Sequence, residues 1–188
     1  MRGDGVAGAA DPAGISGTTT YLPMGRYRAP APQSSPYITR DGFQSLQDEL
    51  QALWKRRTRV TMALAAAAAE GDRSENAEYI YRKKELREID RRIRYLQIRL
   101  PGLKVVSGLP ADPQRVFFGA WVTLEDDTGR ECRYRIVGPD EFDPARGWIS
   151  MDSPMAMALL KKALDEDIRV HTPEGCCEYR IIHIRYTN

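Results

Sequence analysis

The sequence lacks any apolar run long enough to cross a membrane. A spanning helix needs about 18 or more predominantly apolar residues, whereas 29% of the 188 residues are charged and the mean hydropathy is −0.50. The small-residue stretch Val6 to Ala10 also lacks the basic n-region and long h-region of a secretion signal. These absences exclude an integral membrane protein, and we expect a cytoplasmic chain with no membrane partner.

Cysteine and histidine are scarce as well. The chain has three cysteines, Cys132, Cys176 and Cys177, none in a CxxC pair, and two histidines, His171 and His183. A zinc site needs three or four well-spaced thiolate or imidazole ligands. We therefore expect no zinc site and predict that the cysteines are reduced structural thiols.

Neither sign of charge is in large excess. The net charge is +2, but it divides into +2 for residues 1–40, +3 for residues 41–103 and −3 for residues 104–188. A protein that coats DNA is basic over its whole binding face. The acidic C-terminal part therefore argues against a simple DNA-coating protein.

Residues 1–36 are rich in Gly, Ala, Pro, Ser and Thr and contain almost no branched aliphatic residues. Such a segment cannot bury enough apolar surface to offset the entropy of ordering, so we predict that it is disordered. Met24 lies within it, and the segment is either a true tail or the product of an early start codon.

Two heptad patterns follow, in which apolar positions recur in steps of three and four. The first comprises Phe43, Leu46, Leu50, Leu53, Arg57, Val60, Leu64 and Ala67. The second comprises Tyr79, Arg82, Leu86, Ile89, Ile93, Leu96 and Leu100. They predict two amphipathic helices of roughly 25–28 residues, each about 40 Å long at 1.5 Å per residue.

Gly71 and the polar residues after it separate the two patterns, which favours an antiparallel hairpin. A parallel two-chain coiled coil is the alternative, but its heptads would have to continue through Gly71. Small residues, Ala63 and 65–69, keep the distal end slender, and Pro101-Gly102 ends the second helix. Residues 37–103 are thus predicted to form a coiled-coil hairpin domain with an acidic tip at 70–76, and we expect a monomer.

From residue 104 the pattern changes to strands. Six runs rich in β-branched and aromatic residues are predicted as strands: 115–118, 120–124, 132–137, 148–151, 167–171 and 179–184. One helix interrupts them, with Ser153 as N-cap and Pro154 in its first turn. We predict an α+β fold, in which residues 104–188 form an antiparallel sheet domain covered by one helix.

The predicted tip carries two carboxylates, Asp72 and Glu75, three residues apart. Both can point the same way, and two hard oxygen donors can share a magnesium ion or position a water. The alternative is a capping box, in which Asp72 caps the second helix and Glu75 reaches back to it. Spacing alone favours the cap, but a helical arm about 40 Å long is a costly way to present an ordinary turn.

The second predicted helix is basic, with eight Lys and Arg residues against three acidic ones. The basic residues are Arg82, Lys83, Lys84, Arg87, Arg91, Arg92, Arg94 and Arg99. A solvated face with i,i+4 pairs, such as Lys84 with Glu88, explains them. Contact with a phosphate backbone explains them equally well.

Several collinear stretches resemble the bacterial Gre transcript cleavage factors. They include Gly71-Asp72-Arg73-Ser74-Glu75-Asn76, Gly138-Pro139-Asp140-Glu141 and residues 37–42, 77–79, 86–92, 104–106 and 149–154. Arg73-Ser74 and residues 116–121 and 138–144 favour the GreB branch of the family over the GreA branch. The resemblance covers about residues 37–186, and residues 1–36 have no counterpart in it.

The resemblance implies that the hairpin enters the secondary channel of RNA polymerase and stimulates cleavage of the 3′ end of backtracked RNA. The chain is then an accessory factor rather than an enzyme. Asp72 would help to retain the second, weakly held Mg²⁺ of the polymerase, an ion that the free protein does not bind stably. Glu75 would share that ion and orient or deprotonate the attacking water.

The same resemblance implies an FKBP-like C-terminal domain that docks on the coiled coil at the channel rim through Asp152, Ser153 and Pro154. A plain helix cap is the alternative for these three residues. We also expect the extruded RNA to be contacted by four residues of the basic helix, namely Arg82, Lys83, Arg87 and Arg91.

Two other functions are weaker hypotheses. A channel-binding regulator without cleavage activity is disfavoured because both tip carboxylates are present at the right spacing. Prolyl isomerisation by the FKBP-like domain needs an apolar pocket lined by aromatics. The aromatics, Phe117, Phe118, Trp121, Phe142 and Trp148, are better explained as sheet core and docking surface.

Overall fold

The computed structural model describes residues 34–69, 76–172 and 175–186, with the backbone alone at Thr172. Nearly all of the predicted disordered segment and most of the predicted tip, residues 70–75, lie outside the described residues. The described part belongs to one compact unit, Gln33–Asn188. None of its helices has the length and apolar character that crossing a bilayer requires.

The N-terminal half contains two long helices, α1 (Arg40–Ala69) and α2 (Ala77–Arg99). Three ion pairs join them at 2.6–2.7 Å: Glu49–Arg92, Arg56–Glu85 and Arg57–Asp90. Glu49, nearer the start of α1, pairs nearer the end of α2, whereas Arg56 and Arg57, further along α1, pair with earlier residues of α2. The helices are therefore antiparallel within one chain. The hairpin prediction is confirmed, and the parallel coiled coil is wrong.

The predicted heptad positions form the buried seam of this hairpin. Leu46, Val60 and Ala67 are buried on α1, and Ile89, Ile93 and Leu96 are buried on α2. Fully burying one large aliphatic side chain contributes about 1.5–3 kcal/mol, so the seam stabilises the arm along its length. The predicted lengths differ slightly from those found, because α1 has 30 residues and α2 has 23.

Two short strands, β1 (Tyr37–Thr39) and β2 (Lys104–Val106), flank the hairpin and pair in parallel. Ile38 of β1 is fully buried together with Leu46 and Leu96. The strand pattern does not predict this ribbon, because three residues are too few to show a period. It joins the chain that enters the hairpin to the chain that leaves it.

The C-terminal half forms a five-stranded sheet with the order β5-β4-β3-β7-β6. Its elements are β3 (Trp121–Asp126), β4 (Glu131–Val137), β5 (Trp148–Ser150), α3 (Pro154–Leu159), β6 (Asp167–Thr172) and β7 (Gly175–Arg185). Helix α3 covers one face, where Ala156 and Leu159 pack with Val122, Ile136 and Ile181. The predicted α+β fold with one covering helix is confirmed.

Two details of the predicted sheet differ. Strand β5 pairs with β4 in parallel, whereas the other pairings are antiparallel. The connection over residues 138–147 brings the chain back along the edge of β4, as a parallel pair requires. The predicted strand at 115–118 is reduced to a single bridge between Arg115 and Ala163.

The base of the hairpin is locked to the sheet by two adjacent carboxylates. Asp140 accepts hydrogen bonds from Arg99 (2.8 Å) and the Tyr95 hydroxyl. Glu141, which is buried, accepts from the Thr39 amide (2.9 Å), the Thr39 hydroxyl and the Gly138 amide (3.2 Å). These contacts fix the direction in which the arm leaves the sheet.

Close approach at this junction requires two glycines. A Cβ at Gly42 would lie 2.2 Å from Oε1 of Glu141, and one at Gly138 would lie 2.2 Å from the carbonyl oxygen of Tyr37. Atoms cannot approach so closely, so a larger residue at Gly42 would displace the Glu141 side chain, and one at Gly138 would push the Tyr37 backbone of β1 away.

Candidate functional site

The described ends of the tip are tied together by Asn76. Its Oδ1 accepts a hydrogen bond from the Tyr79 amide (3.1 Å), and its Nδ2 donates to the Ala67 carbonyl on α1 (3.0 Å). One side chain therefore caps α2 and bridges to the end of α1. The start of α2 is thus tied to the last turn of α1.

The predicted catalytic residues Asp72 and Glu75 lie outside the described residues. The N-cap of α2 is Asn76, so the capping box that makes Asp72 the N-cap of the second helix does not describe α2. The sequence offered a signal for Asn76, since Asn is a favoured N-cap and precedes the periodic residues of α2. Asp72 and Glu75, which precede Asn76, fit a capping box as well, so the sequence does not single out Asn76 as the N-cap.

No cluster of three or more His, Cys, Asp or Glu side chains suited to a metal occurs within residues 34–69, 76–172 and 175–186. Asp72 and Glu75 of the predicted tip would together offer two hard oxygen donors. Magnesium takes near-octahedral oxygen coordination and keeps several waters, so two carboxylates suit part of its ligand shell.

The four predicted RNA contacts fall into two groups. Arg82 donates to Glu78 (2.8 Å) and Glu85 (3.1 Å), so its guanidinium already has two carboxylate partners. Lys83, Arg87 and Arg91 are exposed and form no ion pair with a described residue. Arg82 is therefore already neutralised by carboxylates of its own helix, at spacings of four and three residues that the sequence itself shows.

Two further cations, Lys84 and Arg94, are also exposed and unpaired within the described part of the chain. The expected pair of Lys84 with Glu88 does not form, and Asp90 binds Arg57 of α1 instead. At 100° per residue the five unpaired cations share the side of α2 that faces away from α1. We call Lys83, Lys84, Arg87, Arg91 and Arg94 the outward stripe.

The predicted docking residues lie at the start of α3. Ser153 is the N-cap and its hydroxyl accepts from the Ala156 amide (3.2 Å), while Pro154 is the exposed first residue. Asp152 accepts hydrogen bonds from the Ser35 amide (2.8 Å) and hydroxyl. The capping alternative thus describes Ser153, whereas the Asp152 carboxylate binds the chain before β1.

Ser35 belongs to the segment predicted to be disordered, and the structure corrects its last three residues. The Ser34 and Ser35 carbonyls accept from Arg99 at 3.3 and 2.5 Å. The Pro36 carbonyl accepts from the Lys104 amide at 2.7 Å. Residues 34–36 are held by the hairpin and the sheet together, which composition does not show.

The aromatic side chains predicted to form the sheet core and a docking surface lie outside the buried core. Phe117, Phe118, Trp121 and Trp148 are partly exposed and Phe142 is exposed, and none belongs to the buried core cluster. A cavity of about 470 Å³ at the hairpin base includes Phe118, but charged residues such as Arg40, Asp41 and Arg135 also line it. It does not resemble the apolar aromatic pocket that prolyl isomerisation needs.

Comparison with known proteins agrees with these features. The family described as "Transcription elongation factor, N-terminal" matches residues 36–105, and "Transcription elongation factor, GreA/GreB, C-term" matches residues 111–186. Transcription elongation factor GreB of Pseudomonas aeruginosa is 56% identical over 164 residues, which cover 87% of this chain and 98% of the relative. The GreB of Haemophilus influenzae is 58% identical over 142 residues, 75% of this chain and 90% of the relative.

Solved structures include GreA factor homolog 1 of Thermus thermophilus, 25% identical, with a TM-score of 0.37 over 79% of this chain and 97% of that chain. A GreA/GreB elongation factor from Nitrosomonas europaea is 25% identical, with a TM-score of 0.38 over 50% of this chain and 79% of that chain. The sequence relatives decide the assignment and confirm the resemblance to the GreB branch. The chain belongs to the GreA/GreB family of transcription elongation factors.

Proposed function

We propose that this elongation factor inserts its hairpin into the secondary channel of RNA polymerase and stimulates the polymerase to cleave the 3′ end of backtracked RNA. The observation that carries the proposal is the rigid arm. Helix α1 of 30 residues spans about 45 Å at 1.5 Å per residue, and Asn76 ties the start of α2 to the last turn of α1, next to the acidic stretch 70–75 of the sequence. Such an arm can deliver carboxylates into a narrow pore.

The factor acts as an accessory to the polymerase, in the cytoplasm where transcription takes place. Asp72 supplies a carboxylate ligand to an Mg²⁺ ion that the polymerase holds weakly, and Glu75 shares that ion and orients or deprotonates the attacking water. Bound magnesium stabilises the charge that develops on the reacting oxygens. A positioned carboxylate base contributes a factor of about 10²–10⁴ to the rate.

The outward stripe gives the arm its affinity for extruded RNA. Its cations have no carboxylate partners within the described residues, so they are available to phosphates. Such contacts are sequence-blind and weaken as salt rises. Lys83, Arg87 and Arg91 keep the role expected of them, and Lys84 and Arg94 join them in place of Arg82.

Docking on the polymerase uses the start of α3, where Pro154 and Met157 are exposed. Ser153 shapes this surface as the helix cap. Asp152 is exposed and lies beside Pro154, so its carboxylate can exchange the Ser35 contact for one with the polymerase.

The deciding experiment uses polymerase in a backtracked complex with end-labelled RNA. Asp72→Asn keeps the side-chain size but removes the charge that attracts magnesium, so cleavage should be lost while polymerase binding stays nearly unchanged. Added magnesium should partly restore it by mass action. Asp127→Asn, an equal change in the exposed turn between β3 and β4, is the control.

Full cleavage by Asp72→Asn at ordinary magnesium would show that the tip carboxylate is not needed. Binding of the wild-type chain without any stimulated cleavage would identify a channel-binding regulator instead. The two results are separated by measuring polymerase binding and RNA products in the same samples.

A further inference from the structure

The face of the C-terminal sheet opposite α3 carries alternating arginine and tryptophan side chains. Cross-strand register places four of them side by side on β7, β3, β4 and β5: Arg185, Trp121, Arg135 and Trp148. We call these four residues the Arg–Trp row. The adjacent row on the same face contains His183, Thr123 and Arg133.

The tryptophan rings hold the guanidinium groups in place. The guanidinium of Arg133 lies 4.3 Å from the centre of the Trp121 ring, and that of Arg135 lies 5.8 Å from Trp121 and 5.1 Å from Trp148. These distances are within cation–π range. Nε of Arg135 is buried and has no hydrogen-bond partner in the part of the chain that the structure describes.

The positive charge of the two rows is not neutralised. Elsewhere in the same sheet domain, Arg115, Arg169 and Arg180 lie within 3.3 Å of a carboxylate. Arg133 and Arg185 are exposed and form no ion pair with a described residue. The two rows contain no carboxylate, although residues 104–188 have a net charge of −3.

A shallow hollow of about 120 Å³ opens between the two rows. Trp121, Thr123, Arg133, His183 and Arg185 line it. Two guanidinium groups, a hydroxyl and an imidazole therefore converge on one concave surface with no acidic side chain among them. This is the chemistry that receives an oxyanion such as a phosphate group.

We infer that this face binds the phosphate backbone of single-stranded RNA. It forms a second RNA-binding surface in addition to the outward stripe. The choice of RNA rests on the proposed function, in which the extruded RNA strand is the polyanion that the factor meets. Because the indole faces are covered by guanidinium groups, they serve to position the arginines. Recognition is then of phosphates and independent of base sequence.

The shape of the row favours a flexible strand over a rigid acidic helix. Neighbouring strands lie about 4.8 Å apart, so Arg135 and Arg185, on either side of β3, are separated by roughly 10 Å. Each strand is also rotated by about 20–25° from its neighbour. A single-stranded backbone can follow this twist, whereas a straight helix departs from it.

The test is binding of a fluorescently labelled 20-residue oligouridylate to the full chain across a series of salt concentrations. Arg133→Gln with Arg185→Gln removes two charges from the face, and Arg130→Gln with Arg169→Gln removes two exposed charges elsewhere in the domain. For single strands the slope of log affinity against log salt is about −0.7 per phosphate contact. The face variant should make the slope less negative by about 1.4, and the control should leave it unchanged.

Photocrosslinking of 4-thiouridine RNA to the wild-type chain, mapped by mass spectrometry, locates the contact. Crosslinks on β3, β4 and β7 support the inference. An unchanged slope in the face variant, or crosslinks confined to α2, would overturn it. The inference would also be overturned if the face variant bound RNA normally but no longer bound the polymerase, because the face would then be a protein-docking surface.

Cleavage by wild-type factor on backtracked polymerase is measured alongside. If the wild type stimulates cleavage normally and the face variant keeps the wild-type salt slope, the second RNA surface alone is rejected. If the face variant has the predicted weaker salt dependence but the wild type stimulates no cleavage, the proposed function alone is rejected.

Discussion

The Glu85 carboxylate accepts hydrogen bonds from arginines of both helices of the hairpin. Arg56 of α1 donates to it at 2.6 and 3.0 Å, and Arg82 of α2 donates at 3.1 Å. The hydrogen bonds from Arg56, followed by those from Arg82, hold the pKa of this carboxyl below its usual value. Glu85 therefore links the two helices through charge.

The pH dependence of stability should reveal this contact. Because the pKa of Glu85 is lowered on folding, its contribution is fully present above the unfolded value of about 4.3 and is lost as pH falls through the folded value. Glu85→Gln should therefore lose less free energy of unfolding than wild type between pH 5 and the acid limit. Urea unfolding followed by circular dichroism measures the difference.

Glu88→Gln is the matched control, since Glu88 is exposed on the same helix and has no ion pair with a described residue. It should retain the wild-type pH dependence. Parallel stability curves for Glu85→Gln and wild type would contradict the role given to the two arginines.

At the scale of the element, α2 divides its cations between two tasks. Arg82 and Arg92 turn to carboxylates, Arg92 binding Glu49 of α1 through two 2.7 Å hydrogen bonds. The outward stripe has no such partners in the described chain and leaves its charge to solvent. One helix thus uses its inner side to hold the hairpin together and offers its outer side to a polyanion.

Reversing two charges of the outward stripe should reduce the cleavage of long extruded RNA more than that of short extruded RNA. Arg87→Glu with Arg91→Glu should reduce cleavage of RNAs that protrude by many nucleotides, with a smaller effect on dinucleotide release, because the stripe contacts RNA away from the reacting bond. The wild-type advantage should shrink as salt rises. Product lengths on sequencing gels give the measurement.

Lys55→Glu with Arg59→Glu makes the same change in charge on α1, at exposed residues. This control should not discriminate between long and short RNA. Equal losses for both product lengths in the stripe variant would mean that the stripe is only a solvated face.

At the scale of the whole molecule, the Gly138-Pro139-Asp140-Glu141 motif sets how the arm is mounted. Asp140 binds α2 through Arg99, and Glu141 binds the start of α1 through Thr39. The motif supports the resemblance to the family without revealing this task. The mount matters because α1 has 30 residues. A small rotation at its base displaces its far end much more than it displaces residues near the base.

Glu141→Gln should destabilise this mount. The amide keeps one acceptor oxygen and turns an NH₂ group toward backbone donors, so a buried donor is left unsatisfied. The free energy of unfolding should fall by about 1–3 kcal/mol. Urea titration checks the value, and Glu131→Gln at the exposed start of β4 should change it little. Equal stability of the two variants would exclude Glu141 as the lock.

Asp152→Arg should weaken docking without altering the tip. Cleavage should fall at low factor concentration and recover at saturation. Ser35→Ala removes the hydroxyl hydrogen bond to Asp152 and leaves the one from the Ser35 amide, so the carboxylate is more available and the variant should dock at least as well as wild type. A shared defect in both variants, or no recovery at saturation, would make Asp152 a structural residue.

The sequence by itself determined the features that repeat over short distances. The heptad spacing of Leu46, Val60 and Ile89 predicts both helices and their buried seam, and Ser153-Pro154 predicts the start of α3. Each signal lies within a few residues, because backbone propensity and side-chain periodicity are local. The α+β class and the family follow from such local patterns.

Only the tertiary structure decided which charges are neutralised across the hairpin. Arg91 and Arg92 are neighbours in the sequence, yet Arg92 binds Glu49 of α1 and Arg91 has no ion pair with a described residue, because the outcome depends on how α1 aligns with α2. The parallel β5 and the Arg–Trp row likewise depend on register between distant strands. Long-range register is set by the packing of the whole core, so no short stretch of sequence contains it.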